Sequence, residues 1–423
     1  MNPPAALPPA SSARHVPGWS GQPSAVQPSA TPTPGLEQST ATPPPDHAEL
    51  VRWAAAVAAA GASAADQNRR LARPVVDAVV EAGFARHFVP ARWGGAAGGF
   101  GDLVTAAADL AEGCGSSGWC AALWAAHGRI AAYLPDQGQR DLWGRTPDAI
   151  VAAAILPPAG SAVATGDGWL LRGEWDWASG VEHADWALLA ARTSSSRGPG
   201  RIRVFAVPRA EFGVRDTWQA TGLRGSASNT IVVREAFVPD HRSLWLDEVL
   251  TGDGGRHRER CHRVPAYLVA GVLLCAPALG VARRALTLWS QWAARPVPGG
   301  AGPLVASAAI REVFVRTSAE IETAGLLLAA AADRADAGPV GADAIARNRR
   351  DAAFAADTLV VAVERLFRTG GAHVRAGAGE LQRCWRDLHT ATSHASLRWE
   401  TAVEDYATSA APQVRSDWWV DHR

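Results

Sequence analysis

The stretch WRDLHTATSH, residues 385–394, sets His389 and His394 behind an arginine–aspartate pair. Histidine titrates near neutral pH, so such a pair invites metal ligation or proton transfer. The spacing argues against a shared metal. Five residues on a helix is a rotation of about 140°, so the rings leave different faces, unlike an i,i+4 zinc pair. HRERCHR, 257–263, offers His257, Cys261 and His262 without a second cluster at ligand spacing, and reads as a basic loop. A third histidine, His127, lies in WCAALWAAHGRIAAYL, where Trp119, Leu123 and His127 recur every four residues along one helix face. An imidazole among indoles suits a flat ligand; a core histidine is the plainer alternative. WDWASG, 175–180, ends an apolar run, and the two-residue strand period puts Trp175, Trp177 and Ser179 on one face. That stack could hold a flavin ring, with the hydroxyl bonding a ring nitrogen; β-core tryptophan plus a turn serine is the alternative.

Composition removes whole classes of chemistry. All 41 basic residues are arginine, which excludes Schiff-base, pyridoxal-phosphate and phosphate-loop chemistry in their usual forms, because each needs a lysine amine. The net charge is zero, which speaks against a nucleic-acid face. Five scattered cysteines without a C-x-x-C pair, and no apolar N-terminal signal core, fit reduced thiols in a cytoplasmic protein. WGGAAGGFGD, 93–102, follows a helix and reads as an inter-helix loop, not a dinucleotide fingerprint. No G-x-S-x-G elbow is present. The charge-free run 264–282 approaches the length of a membrane span. Its prolines and glycines favour a buried bundle helix, so no membrane is expected.

The elements that must position these residues come in three blocks. Residues 1–45 are a Pro/Ser/Ala/Thr-rich leader too poor in apolar residues to fold. From 46 to 148 apolar residues recur at three and four, giving a helical domain in which Ser116 or Ser117 would cap a helix. From 149 to 240 short alternating runs split by Gly, Pro, Asp and Ser indicate a middle antiparallel β domain. A linker over 241–262 leads into a four-helix bundle over 263–410, with helices near 264–294, 304–337, 342–369 and 380–406. Residues 411–423 form a tail.

Helical domain, β domain and bundle, in that order, resemble the acyl-CoA dehydrogenase fold, an α+β, mostly α, architecture. TGLRGSASNTIVVREAFVPDHRS, 221–243, is similar to its strand-turn-strand segment, and LQRCWRDLHTATSH, 381–394, to its last active-site helix. GSSGWCAALWAAHGR and WDWASG point to one branch, the two-component flavin-dependent monooxygenases that hydroxylate aromatic rings, including hydroxyphenylacetate and steroid-ring phenols.

Because the family's R-x-x-F-G segment for the adenine half of FAD is missing between 290 and 315, the resemblance implies reduced FMN, with FAD as the alternative. It implies O2, a flavin 4a-hydroperoxide, a separate flavin reductase and a homotetramer. By the resemblance, His394 stands within about one residue of where dehydrogenases carry a catalytic glutamate. His127 matches a substrate-pocket histidine, and Ser179 the residue that bonds the central flavin ring. Trp119 and Trp177 line the flavin, and Arg295 would pair a phosphate. His389 has no counterpart and is structural. Where a substrate-touching serine is expected the chain has Ala153, so the aromatic, phenolic or polyketide-type substrate differs, and a tailoring role in secondary metabolism, such as antibiotic biosynthesis, is expected. Oxidation at nitrogen or sulfur, an acyl-CoA dehydrogenase using Glu400, and a flavin-free scaffold stand as alternatives.

Overall fold

The computed structural model describes residues 46–194, 201–253, 259–296, 302–371 and 379–415. The expected leader, His257 and the last eight residues lie outside them. Helix α1 (His47–Asn68) opens on a capping box in which Asp46 accepts from the Glu49 N–H and Glu49 reaches back. Four helices follow: α2 (Arg73–Glu81), α3 (Phe100–Gly113), α4 (Gly115–Ala131) and α5 (Asp136–Trp143). Cys114, in an extended conformation, is all that separates α3 from α4. Neither Ser116 nor Ser117 caps α4, contrary to expectation; both are buried in its first turn. Small residues there let backbones close up. A Cβ on Gly118 would fall 2.5 Å from the Ala111 Cβ, far inside van der Waals contact.

The middle domain is one eight-stranded sheet. Its strands are β1 (Val151–Ala154), β2 (Ser161–Thr165), β3 (Gly168–Ala178), β4 (Trp186–Thr193), β5 (Ile202–Pro208), β6 (Gly213–Arg215), β7 (Asn229–Pro239) and β8 (Ser243–Trp245). The order is β6-β7-β3-β2-β4-β5-β8, with β1 beside β4. The sheet is mixed where an antiparallel one was expected: β1 and β2 both run parallel to β4. The long path between β1 and β4, through the β2–β3 hairpin, supplies the crossover that parallel pairing needs. The domain also outlasts its expected end at 240, because a 3-10 turn at Asp240–Arg242 returns the chain as β8 beside β5. Two short helices, α6 (Leu246–Thr251) and α7 (Arg260–Arg263), occupy the expected linker.

The bundle is α8 (Ala266–Ala293), α9 (Ala308–Ala337), α10 (Ala342–Thr369), α11 (Glu380–Thr392) and α12 (Trp399–Arg415). By length and composition α8 could cross a membrane, but 78% of its most apolar window is buried within the protein. It packs on α3, α9, α10 and α11. The expected single helix over 380–406 is broken by a 3-10 turn, Ala395–Leu397, with His394 as its N-cap. Local polar bonds compete with the helix there: Ser393 Oγ donates to the Thr390 carbonyl, and the His394 ring accepts from the Ser396 N–H.

Candidate active site

The end of β3 departs from the regular pleat. Between Trp175 and Ala178 the strand takes three steps while β7 takes two, so one residue is extra and bulges. Trp177 carries the bend at φ 64°. The expected shared face of Trp175 and Trp177 is therefore wrong. Trp175 is buried and donates its indole N–H to the Ala190 carbonyl at 2.8 Å, while Trp177 is 64% exposed. Next come Ser179, buried, and Gly180 at φ 66°. Only glycine fits at 180, because a Cβ would lie 2.6 Å from the Trp124 ring nitrogen.

Trp119, on α4, reaches across to this strand end. Its indole N–H donates to Ser179 Oγ at 3.1 Å. Behind Ser179 stand two hydroxyls that the sequence reading missed. Ser179 Oγ lies 2.7 Å from Ser228 Oγ, and Ser228 Oγ lies 2.8 Å from Ser226 Oγ. The loop presenting them is a tight turn with left-handed residues at Leu223 and Ala227. Its fixings are distant in sequence. The Gly180 N–H donates to the Ser226 carbonyl at 2.7 Å, and the Leu223 N–H donates to Asp387 at 2.6 Å. Arg386 adds a two-pronged pair with Asp66 and a bond to the Thr221 carbonyl. The arginine–aspartate pair of the last active-site helix is thus a latch between α11, α1 and the serine turn. Burial pushes Asp387 up to about 6, against the opposing pull of the Leu223 N–H and Arg386.

The two candidate histidines have opposite polarity. His127 is buried on α4, and its Nδ1 lies 2.9 Å from the Val151 carbonyl of β1. A carbonyl only accepts, so Nδ1 carries the proton and Nε2 presents a lone pair. Nε2 has no partner among the described residues. Burial pushes His127 down to about 4, with the bond to Val151 opposing, so the ring is neutral at physiological pH. His394 is the reverse. Its Nδ1 accepts the Ser396 N–H at 3.1 Å, so the neutral ring carries its proton on Nε2 and offers a donor. Its ring centroid is 6.2 Å from that of Trp119. The ring is open to solvent on one side. The desolvating protein on the other, then the Arg398 charge, hold its pKa below the ordinary value.

Trp119, Ser179 and His394 are therefore brought together, with His127 two turns further along the face of α4 that carries Trp119. Trp177, two residues before Ser179 in the chain, is exposed. Arg295 is not part of the group. It is exposed just past the end of α8, whereas the 394–397 turn packs at Gly271. Those positions are about 36 Å apart along the helix at 1.5 Å per residue. His389 packs on Trp385, with ring centroids 4.4 Å apart, near Glu364. Glu400 is exposed on α12. The cysteines are buried thiols, with burial pushing Cys384 up to about 12, and make poor nucleophiles. Among the described residues no group of three His, Cys, Asp or Glu side chains is placed to hold a metal.

An uncovered indole, a hydroxyl and two neutral imidazoles fit a flat polar ring. Comparison with known proteins identifies which. Residues 272–399 match the acyl-CoA dehydrogenase C-terminal domain. The chain is 30% identical over 350 residues to HsaA, the oxygenase subunit of a flavin-dependent monooxygenase from Rhodococcus jostii, covering 80% of this chain and 91% of that one. The chain belongs to the flavin-dependent monooxygenases. This monooxygenase is also 30% identical over 378 residues to the oxygenase component of the FADH2-dependent resorcinol hydroxylase of a Rhizobium, covering 84% and 92% of the two chains. The structure of XiaF from a Streptomyces, in complex with FADH2 and glycerol, superposes on it with a TM-score of 0.80 at 28% identity, covering 86% of this chain and 96% of XiaF. The acyl-CoA dehydrogenase fold and its monooxygenase branch, expected from the sequence, are what the chain has, and its cofactor is reduced flavin.

Proposed function

We propose that this monooxygenase hydroxylates a phenolic or polyketide-type aromatic ring as the oxygenase component of a two-component system, with a separate reductase delivering the reduced flavin. The supporting observation is the opposite polarity of the two neutral imidazoles. A phenol brings one O–H donor, and His127 Nε2 is an acceptor that burial keeps unprotonated. His394 offers the complementary N–H.

The bound flavin supplies oxygen activation; the residues orient it, hold protons and exclude water. Ser179 would hydrogen-bond the flavin ring and Trp177 would offer it an aromatic face, with Trp119 fixing Ser179. His127 accepts from the substrate hydroxyl and draws electron density toward the ring carbon to be oxidised. The FADH2 named for the resorcinol hydroxylase and for XiaF favours FAD over the FMN expected from the missing R-x-x-F-G segment. In a homotetramer Arg295 would serve a flavin held by a neighbouring subunit. Secondary metabolism in the cytoplasm is the setting this reading takes.

The test is a single turnover in which protein and anaerobically reduced FAD or FMN meet ¹⁸O2 and a panel of phenols. One labelled oxygen in a ring hydroxyl is expected. Hydrogen peroxide alone with every phenol, together with bleaching of oxidised flavin by an acyl-CoA, would return the chain to dehydrogenase chemistry.

A further inference from the structure

The turn that carries His394 also carries an unanswered charge. His394 is the N-cap of the 3-10 turn Ala395–Leu397, and Arg398 is its C-cap. The Arg398 N–H donates to the Ala395 carbonyl at 3.4 Å and closes the turn. The Arg398 charge acts on the His394 ring. After burial, it is what holds that ring below its ordinary pKa, and no carboxylate among the described residues opposes it. Other arginines of the bundle are taken: Arg349 pairs with Asp405, Arg365 with Glu320 and Arg386 with Asp66. Arg398 is exposed and has neither an ion pair nor a side-chain hydrogen bond among the described residues. Glu400, the nearest acid along the chain, is exposed at the start of α12 and is not bonded to it.

The groups gathered beside this turn supply no counter-charge. Trp119 and Ser179 carry none, and both His127 and His394 are neutral at physiological pH. Their hydrogen-bonding ends differ. His127 presents an acceptor. His394, whose ring centroid is 6.2 Å from that of Trp119, presents a donor. Trp119 and His127 are two turns apart on α4, or about 12 Å along the helix. An acceptor therefore stands at one end, and a donor with a cation beside it at the other. We propose that Arg398 is a specificity-determining residue that pairs with a carboxylate on the substrate, so that the favoured class is a phenolic acid with hydroxyl and carboxylate at opposite ends. The guanidinium fork matches the two carboxylate oxygens, His394 adds a further N–H, and the hydroxyl goes to His127. A neutral ring of the same shape keeps the fit and loses the pairing.

The inference rests on the proposed hydroxylation of a phenol, so its test reads binding without turnover. The probes are p-hydroxyphenylpropionate and its primary amide, which match in shape and differ in charge. Dissociation constants for both would be measured by anaerobic equilibrium dialysis on the full chain carrying reduced flavin. The wild type should prefer the acid by about three- to thirtyfold, between the worth of an exposed ion pair and that of an enclosed charged hydrogen bond. Arg398→Gln should bring that ratio close to one and leave amide affinity unchanged. Arg398→Lys should keep part of the preference, and added salt should lower it. A merely structural residue would weaken acid and amide alike. An undiminished preference in Arg398→Gln, or no preference in the wild type, overturns the assignment. So does a loss confined to the cofactor, with FMN falling to the affinity of riboflavin in Arg398→Gln while the acid-to-amide ratio holds, because the anion is then the flavin phosphate. Hydroxylation of neither probe, with the Arg398-dependent preference intact, counts against the proposed reaction and leaves the carboxylate contact standing.

Discussion

His127 is the sharpest place to test the chemistry, because its geometry fixes both proton position and charge state. Burial holds the ring near a pKa of about 4. A phenol lies near ~10, so complete proton transfer to His127 would cost roughly 8 kcal/mol. The ground-state phenol therefore stays protonated and merely hydrogen-bonds to Nε2, with proton shift confined to the transition state. The first consequence is for rate against pH. His127 contributes no kinetic limb near 6.5, because it does not titrate there in the fold. Asp387, pushed up to about 6, can titrate nearby, so the informative comparison is wild type against His127→Ala, measured as product per reduced flavin from pH 5 to 9. The substitution strands the phenol hydroxyl without its acceptor, worth about 1–3 kcal/mol, or roughly 5- to 150-fold in product-forming rate, and the loss should be the same at every pH. The second consequence is for stability. The unfolded chain takes up a proton near ~6.5 that the fold refuses until about 4. Stability should thus rise with pH through that window and be lost as pH falls through it, by about 3 kcal/mol for this one group. A rate limb near 6.5 present in wild type and missing from His127→Ala would show a titrating, solvated imidazole and refute the argument.

Three further outcomes follow from the same geometry. Asp387→Ala leaves the Leu223 N–H unpaired inside the protein and should cost about 1–3 kcal/mol in urea denaturation, whereas Asp387→Asn keeps an acceptor and should cost far less. Gly180→Ala places a methyl 2.6 Å from the Trp124 ring nitrogen at φ 66°; a melting curve should show a loss of about 1–3 kcal/mol, and flavin titration a weaker complex, because Ser179 moves with the neighbouring backbone. Trp177→Gly relieves left-handed strain of about 1–2 kcal/mol but adds unfolded-state freedom of about 0.5–1 kcal/mol, so the melting temperature should barely change while flavin affinity falls about 2- to 12-fold with the lost aromatic face.

Those substitutions divide along a line that the sequence itself draws. Where a periodic pattern decides the outcome, the reading succeeds: α9 ends at 337 and α10 spans 342–369, as the spacing predicts. Where one residue breaks a period, it fails. Trp177 leaves the face of Trp175 because a bulge and a left-handed backbone intervene, and alternation carries no mark of either. The last long helix splits before His394 because three short polar side chains at 390–393 and the imidazole itself offer the backbone other partners, a competition that apolar spacing does not register. The histidines show the same limit at the level of chemistry. Their identity is plain in the sequence, but whether each gives or takes a hydrogen bond depends on one backbone atom, the Val151 carbonyl for His127 and the Ser396 N–H for His394. The first lies 24 residues from its ring. The serine cluster behind Ser179 stands furthest from legibility. Ser226 and Ser228 are visible as S-x-S, but their place behind Ser179 depends on a turn in which left-handed Leu223 is tied by an aspartate 164 positions away. Tertiary structure thus sets the polarity of each group in the site, and polarity decides whether an imidazole or hydroxyl near the flavin acts as acid, base or neither.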